Sequence, residues 1–497
     1  MSDIGFKNIP ANVRTPLFYA ELDASNANSP ATNQRALIIG QITDDGTAVP
    51  NIPVLSQGSS DAKSIGGPGS MLALMTAAYK ANDGFGEVWY LPLSDDDDGV
   101  AAAGTISIDS APTVNGVVAL YVAGQRLSLA VTAAQTAAQI ATALAAAITA
   151  AIDLPVAAAV DEDTATLVNV IAKNAGLAGN DIDIRLNYLG TAGGETLPTG
   201  LGVTITPMAS GATNPDLATA LTNCGDQPFD FIVLPYTDAT SLNAMKAFLN
   251  DQTGRWSYAD QVYGHAFCGF RGTSSACVTL GSARNDPHAT IMGYNDSPTP
   301  SWLWSPALAG AAAASLRSDP GVPLQTLALA GVLAPPLQSR FVRSQRETLL
   351  NNGIATFTVA DDGTVAIERC ITTYQENSFG QPDTSYLDIE TLFVLMTVLR
   401  RQADLVTSKY ARKKLAADGT RFGPNTSIIT PAVIRADLVA QYQEMEAEGL
   451  VQNSAAFAAA LVVQKNSTNP NRVDVLWPGT LIDQLRIFAL LAQFRLQ

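Results

Sequence analysis

The chain has 497 residues and a mass of 52.0 kDa, enough for about three domains at roughly 150 residues each. Hydrophobic residues make up 47% and charged residues 15%, and 29 Lys+Arg against 45 Asp+Glu give a net charge of -16. A protein that binds nucleic acid by neutralising phosphates carries the opposite balance, so no nucleic-acid partner is expected. No run approaches the roughly 20 apolar residues of a spanning helix, which argues against membrane insertion, and residues 1–6 lack the basic and apolar regions of a signal peptide. Cytoplasmic residence is the expectation.

The first 34 residues are poor in core material but hold one alternating segment. In Thr15-Pro-Leu-Phe-Tyr-Ala-Glu-Leu-Asp23, Phe18, Ala20 and Leu22 share a face, which predicts a half-buried strand on an extended arm. Arg35-Ala-Leu-Ile-Ile-Gly40 reads as a buried strand, residues 71–82 as a helix and Glu87-Val-Trp-Tyr-Leu-Pro92 as a second strand. Strand, helix and strand at these lengths predict a parallel α/β unit. Asp95 to Asp98 and Gly99 then break the pattern, and up to about residue 205 the composition shifts to Ala, Val, Thr and Gly. Within that insert, residues 117–122 and 126–131 predict a hairpin turning at Gly124-Gln125. Thr132-Ala-Ala-Gln135 predicts a capping box for an Ala-rich helix carrying Ile140, Leu144 and Ile148. Residues 80–200 hold 4 Lys+Arg against 14 Asp+Glu, so the insert is expected to be an acidic, exposed lobe.

The α/β pattern resumes with a strand in 229–235, a helix in 241–250 and a strand in 265–270, and residues 354–359 and 365–373 predict an antiparallel hairpin. Residues 387–415 predict the longest helix, with Leu392, Met396, Leu399, Ala403, Val406 and Tyr410 on one stripe. Arg401, Lys409 and Arg412 fall on its far side, with Lys413 at the flank. Residues 400–421 carry seven Lys+Arg and two Asp+Glu, the sharpest charge asymmetry in the chain. In the last seventeen residues Arg486, Phe488, Leu490, Ala492, Phe494 and Leu496 share one parity, which predicts a second extended strand, the alternative being a short helix with Ile482, Leu485, Phe488 and Ala492 inward.

Candidate chemistry is sparse. The Gly66-Gly-Pro-Gly-Ser70 turn precedes a helix, but no P-loop Lys follows it, so a turn with Ser70 as N-cap is expected rather than a phosphate site. Cys224, Cys268, Cys277 and Cys370, with His265 and His288, fit neither a zinc site nor a disulfide framework. Asp95 to Asp98 lack the spacing of a Ca²⁺ loop, and there is no Gly-x-Ser-x-Gly or His-Glu-x-x-His motif. No cofactor, no metal and no enzymatic activity are expected.

Three stretches carry a family resemblance. Ile9-Pro-Ala-Asn-Val-Arg-Thr-Pro-Leu-Phe-Tyr-Ala-Glu-Leu-Asp23 with Arg35 to Gly40, then Lys413-Lys-Leu-Ala-Ala-Asp-Gly-Thr-Arg-Phe-Gly423, and the ending Asp483-Gln-Leu-Arg-Ile with Gln493-Phe-Arg-Leu-Gln497 resemble the contractile tail sheath protein of Mu-like bacteriophages. The resemblance spans the whole chain and is least specific in the insert. It implies a virion structural protein, assembled in the host cytoplasm. Such subunits form hexameric discs that stack helically on a tail tube and contract to drive the tube through the host envelope. Implied partners are other copies of the chain, the tube protein, and baseplate and tail terminator proteins. It also implies strand exchange with neighbouring subunits through Phe18, Ala20, Leu22, Arg486, Phe488, Leu490, Phe494 and Leu496, and a tube contact at Arg401, Lys409, Arg412 and Lys413. The alternative is a tube-forming or capsid-like protein that does not contract.

The expected fold class is therefore multi-domain α/β (α+β). It has a mixed-sheet core built from both ends of the chain, inserted outer domains and extended strand-bearing arms. The expected divisions are an N-terminal arm (1–34), the first part of the core (35–98), an acidic insert (99–205), a middle α/β domain (206–380), a C-terminal domain facing the tube (381–480) and a C-terminal arm (481–497).

Overall fold

A computed structural model describes residues 34–423 and 426–496. Its centre is a six-stranded mixed sheet in the order Ala289–Tyr294, His265–Arg271, Phe231–Val233, Ala36–Gln41, Val88–Leu93 and Val54–Leu55. All neighbours are parallel except the last pair. Every residue of Ala36–Gln41 is buried, as a strand covered on both faces requires. Helix Met71–Asn82 makes the crossover to Val88–Leu93, and Ala239–Leu249 and Ser274–Ser282 make the next two. Gly40 lets the first helix lie close, since a Cβ there would sit 2.9 Å from the Leu72 Cα. Helix Ser301–Ser318, buried along most of its length, packs on the same sheet.

The segment between Val88–Leu93 and Phe231–Val233 forms two antiparallel sheets around helix Ala137–Ala150. One has the order Gly202–Ala209, Ala101–Ser110, Leu167–Ala175, Val156–Val160, and the other Gln125–Val131, Gly116–Val122, Ile184–Leu186. The predicted hairpin forms, but its turn is Ala123-Gly124, both at positive φ, the geometry a two-residue turn needs to match strand twist. The capping box sits one motif later than expected. Thr136 accepts from Gln139 N and opens the helix, while the identical Thr132-Ala-Ala-Gln135 makes only a turn, with Thr132 N donating to Gln135 Oε1 at 2.8 Å. The insert is not a separate lobe, because its apolar side chains belong to the same continuous core as the central sheet.

Beyond residue 380 a second, smaller core forms around Tyr442, Phe457 and Trp477, with Tyr442 and Phe457 stacked 3.8 Å apart. Helix Ile389–Leu405 serves both cores, placing Ile389, Phe393 and Met396 in the first and Val394 and Val398 in the second. The expected single helix over 387–415 ends earlier. After Leu405 the chain makes a π-turn, Val406–Tyr410, and Lys414–Leu415 pairs in parallel with Ile428–Ile429. Ser408 Oγ donates back to Asp404 O at 2.6 Å, a local bond that loosens helical geometry. Helix Pro431–Ala447, with Pro at its first position, was not anticipated from the sequence. The hairpin Val462–Lys465 with Val473–Leu476 follows.

Candidate functional site

A ligand of an open α/β sheet ordinarily sits beyond the strand C-termini, where the chain turns in opposite directions on the two sides. Here that place lies after Gln41 and Val233, and the insert fills it. Gln41 is buried; its Nε2 donates to Asp95 Oδ1 and to Ala175 O, both at 2.6 Å, and its Oε1 accepts from Tyr236 at 2.9 Å. The nearby helix N-terminus is also occupied, because Met71 N donates to Asn174 Oδ1 at 3.0 Å and Ala73 N to the Ser70 hydroxyl at 3.2 Å. Ser70 is thus the N-cap that its sequence context predicts. The space left at this junction is about 10 Å³, about one water at most. Asp95, expected in a solvated acidic loop, instead ties the insert to the sheet through Gln41, Asn174 and Ala175.

The titratable groups of the centre are packing elements. His265 Nε2 meets Thr290 Oγ1 at 2.8 Å, and burial pushes its pKa well below the ordinary value. His288 stacks on Trp256 at 4.4 Å and pairs with Asp251 at 2.9 Å. The four cysteines are free and buried. Burial raises all of them, Cys224 to about 11 and Cys277 to about 12, so each is a thiol at neutral pH. Among the described residues no group of three or more His, Cys, Asp or Glu could hold a metal, and no helix is long and apolar enough to cross a membrane.

The four basic residues assigned to one helix face do not share it. Arg401 lies in the helix and pairs with Glu448. Lys409 lies in the π-turn and pairs with Asp437 at 2.7 Å. Arg412 and Lys413 follow the turn, where both are exposed. Two of the four charges are therefore partly neutralised inside the chain, and two face solvent.

Of the expected strand-exchange residues, Phe18, Ala20 and Leu22 lie outside the described residues. The others lie on a segment without regular structure that leaves the second core after Thr480–Leu481 pairs with Val451–Gln452. Arg486 turns back onto its own chain, with Nη2 2.6 Å from Glu390 Oε2 and 3.3 Å from Asp388 Oδ1. From residue 487 on, both parities are exposed: Ile487 79%, Phe488 82%, Leu490 78%, Leu491 84%, Phe494 83% and Leu496 89%. The alternation is present, but no face of it is covered within the subunit.

Comparison with known proteins places this architecture. Residues 210–373 match the phage tail sheath protein central domain and residues 381–495 the phage tail sheath C-terminal domain. The Mu-like prophage FluMu tail sheath protein of Haemophilus influenzae is 38% identical over 493 residues, covering 99% of each chain. The chain belongs to the phage tail sheath family and is a structural subunit of a contractile tail sheath of the virion. Among solved structures, the sheath tail protein of Desulfitobacterium hafniense is 12% identical with a TM-score of 0.49, over 95% of this chain and 97% of that one. The helical sheath of the anti-feeding prophage in its contracted state is 12% identical with a TM-score of 0.47, over 98% and 100%.

Proposed function

We propose that this chain polymerises helically around a tail tube and contracts on it, with each subunit tied to its neighbours through its terminal arms. The observation that carries this reading is the tail beyond Arg486, six large apolar side chains in ten residues with none covered. Such a segment needs a partner, and an extended one can add a strand to an open sheet edge. The hairpin Val462–Lys465 with Val473–Leu476 is a two-stranded sheet that exposes Val462, Val475 and Leu476, and it is the acceptor assigned here to the arm of a second copy. Residues 1–34, with Phe18, Ala20 and Leu22, supply the other exchanged strand. Head-to-tail contacts of this kind need not close and so build helical tubes.

Arg412 and Lys413 are the cations assigned first to the tube, with Arg401 and Lys409, partly neutralised by their pairs to Glu448 and Asp437, contributing less. A contact of exposed charges is screened by salt and can release during contraction without tearing an apolar interface. Baseplate and terminator proteins bound the stack, assembly takes place in the host cytoplasm, and no step calls on a catalytic group. Negative-stain electron microscopy of the purified protein, with a size-exclusion trace, tests the reading. Striated tubes of uniform width that vanish when residues 488–497 are deleted support it. A monodisperse small particle that never polymerises, concentrated or with tube protein added, refutes it.

A further inference from the structure

The C-terminal arm leaves the subunit from a root held by a buried ion pair, and the helix that carries its partners also braces residues 34–35, at the N-terminal end of the first core strand, through Arg400 and Asp230. We infer that helix Ile389–Leu405 is a strut fixing where the two arms depart: Asp388 and Glu390 at its start hold Arg486, and Arg400 near its end holds Asp230, which holds Arg35.

At the C-terminal root, Glu390 is fully buried and Arg486 nearly so. Besides the Arg486 contacts, Glu390 Oε1 accepts from Leu324 N at 2.9 Å, and Asp388 pairs with Arg369 at 3.0 Å. The carboxylates are thus fixed by other elements before Arg486 reaches them. At the N-terminal root, Arg400 Nη1 lies 2.6 Å from Oδ1 of the fully buried Asp230. The other oxygen of Asp230 accepts from Arg35 N at 3.3 Å, and Asp230 N donates to Arg35 O at 2.8 Å. Arg35 also pairs with Glu87 at 2.7 Å, and Arg317 Nε donates to Gln34 O at 2.8 Å.

Withdrawing Arg486 strands the buried Glu390 charge, so the C-terminal root resists being pulled away, while the N-terminal root is held by the backbone hydrogen bonds between Arg35 and Asp230 and by the Arg35–Glu87 pair. Between the clamps the helix runs about 15 Å for ten residues. Stacking of Phe393 on Phe231, 5.0 Å apart at 15°, seats it on the central sheet. Tension arriving on one arm passes along a hydrogen-bonded helix to the other. The free part of the C-terminal arm then begins at residue 487, which makes Arg486 a positioning residue of the subunit itself and not a member of the exchanged strand.

The inference rests on the arm-exchange reading above, but its decisive measurement requires no assembly. Spin labels at Ala489→Cys and Ala403→Cys, both exposed sites, report how tightly the arm is aimed, and the four native thiols are buried. In full-length protein the distance distribution is expected to be narrow. It should widen at least two-fold in Glu390→Gln/Arg486→Met, which removes both charges and keeps side-chain bulk, with an unchanged near-ultraviolet dichroism spectrum. Arg486→Lys keeps one charge contact and should fall between the two, and it decides the question if the double variant does not fold. An equally narrow distribution in the folded variants overturns the clamp. A second arm uses assembly: Arg400→Met/Asp230→Asn should give sheaths of irregular width, and wild-type helical order in that variant overturns the strut. If the wild type itself never polymerises, the arm-exchange reading fails while the label distances still judge the clamp.

Discussion

Phe393 seats helix Ile389–Leu405 on the central sheet through its stacking on Phe231. It is fully buried, stacks on Phe231 and meets His265 edge-on at 6.3 Å. Phe393→Ala should cost about 3–5 kcal/mol, the range for deleting a buried ring, of which the stacked pair accounts for about 0.5–1.5 kcal/mol. Phe393→Leu keeps most of the volume and loses the pair, so about 1–2 kcal/mol is expected. The assay is urea unfolding followed by tryptophan fluorescence in a Trp477→Phe background. That leaves Trp89, Trp256, Trp302 and Trp304, all in or against the main core, as reporters. With a slope of about 3 kcal/mol/M, the alanine variant should lower the midpoint by about 1–1.7 M and the leucine variant by about a third to two thirds of a molar. A fall of less than about 0.3 M for Phe393→Ala at an unchanged slope would mean that the sheet closes without the ring, and the packing argument would be wrong.

Three further outcomes are expected. Gly40→Ala places a Cβ 2.9 Å from the backbone of Leu72 and should destabilise by about 1–3 kcal/mol through overpacking, read from the same urea midpoints. Thr136→Ala removes the cap of helix Ala137–Ala150 and should cost about 1 kcal/mol, whereas Thr132→Ala, on the repeated motif that caps nothing, should cost much less. Asp83 sets a pH dependence: burial pushes its carboxyl up, but Arg317, the Tyr79 hydroxyl and Gly86 N together hold it below its ordinary value of 3.8. Between the lowered pKa and 3.8 the unfolded chain binds more protons, so the contribution of Asp83 is complete above pH 3.8 and is lost as the pH falls through the folded value. The difference in urea midpoint between wild type and Asp83→Asn should be constant from pH 5 to 7 and shrink below pH 3.8; a difference that grows on acidification would refute the assignment.

Local pattern made much of the fold legible. Apolar runs of four to six residues located Ala36–Gln41, Val88–Leu93 and His265–Arg271, and the Gly-rich turn with Ser70 located helix Met71–Asn82 within a residue. Two elements were misjudged for identifiable reasons. The sequence repeats Thr-x-x-Gln at 132 and 136, and spacing alone could not choose which copy caps the helix. The stripe that predicted a helix to residue 415 is real as far as Leu399, where Met396 and Leu399 meet the main core, but Ala403 and Val406 are exposed, and Tyr410 reaches the second core from the π-turn and not from a continued helix. Thr430-Pro431 was a start signal for helix Pro431–Ala447 that could have been read.

What the sequence by itself determined is what depends on neighbours a few residues apart: strand and helix positions, the hairpins, the uncovered apolar tail and the excess of cations in residues 400–421. The tertiary structure decided everything that depends on pairs distant in the chain. The strand order places Ala36–Gln41 beside Phe231–Val233, and the insert closes the crevice beyond Gln41. Arg401 and Lys409 gained partners at Glu448 and Asp437, and Arg486 one at Glu390, 96 positions away. The physical reason is that a charge carries no sequence signature of its partner. Coulombic and hydrogen-bond pairing is set by where the folded backbone delivers the groups, whereas hydrophobic periodicity is written into the order of the residues themselves.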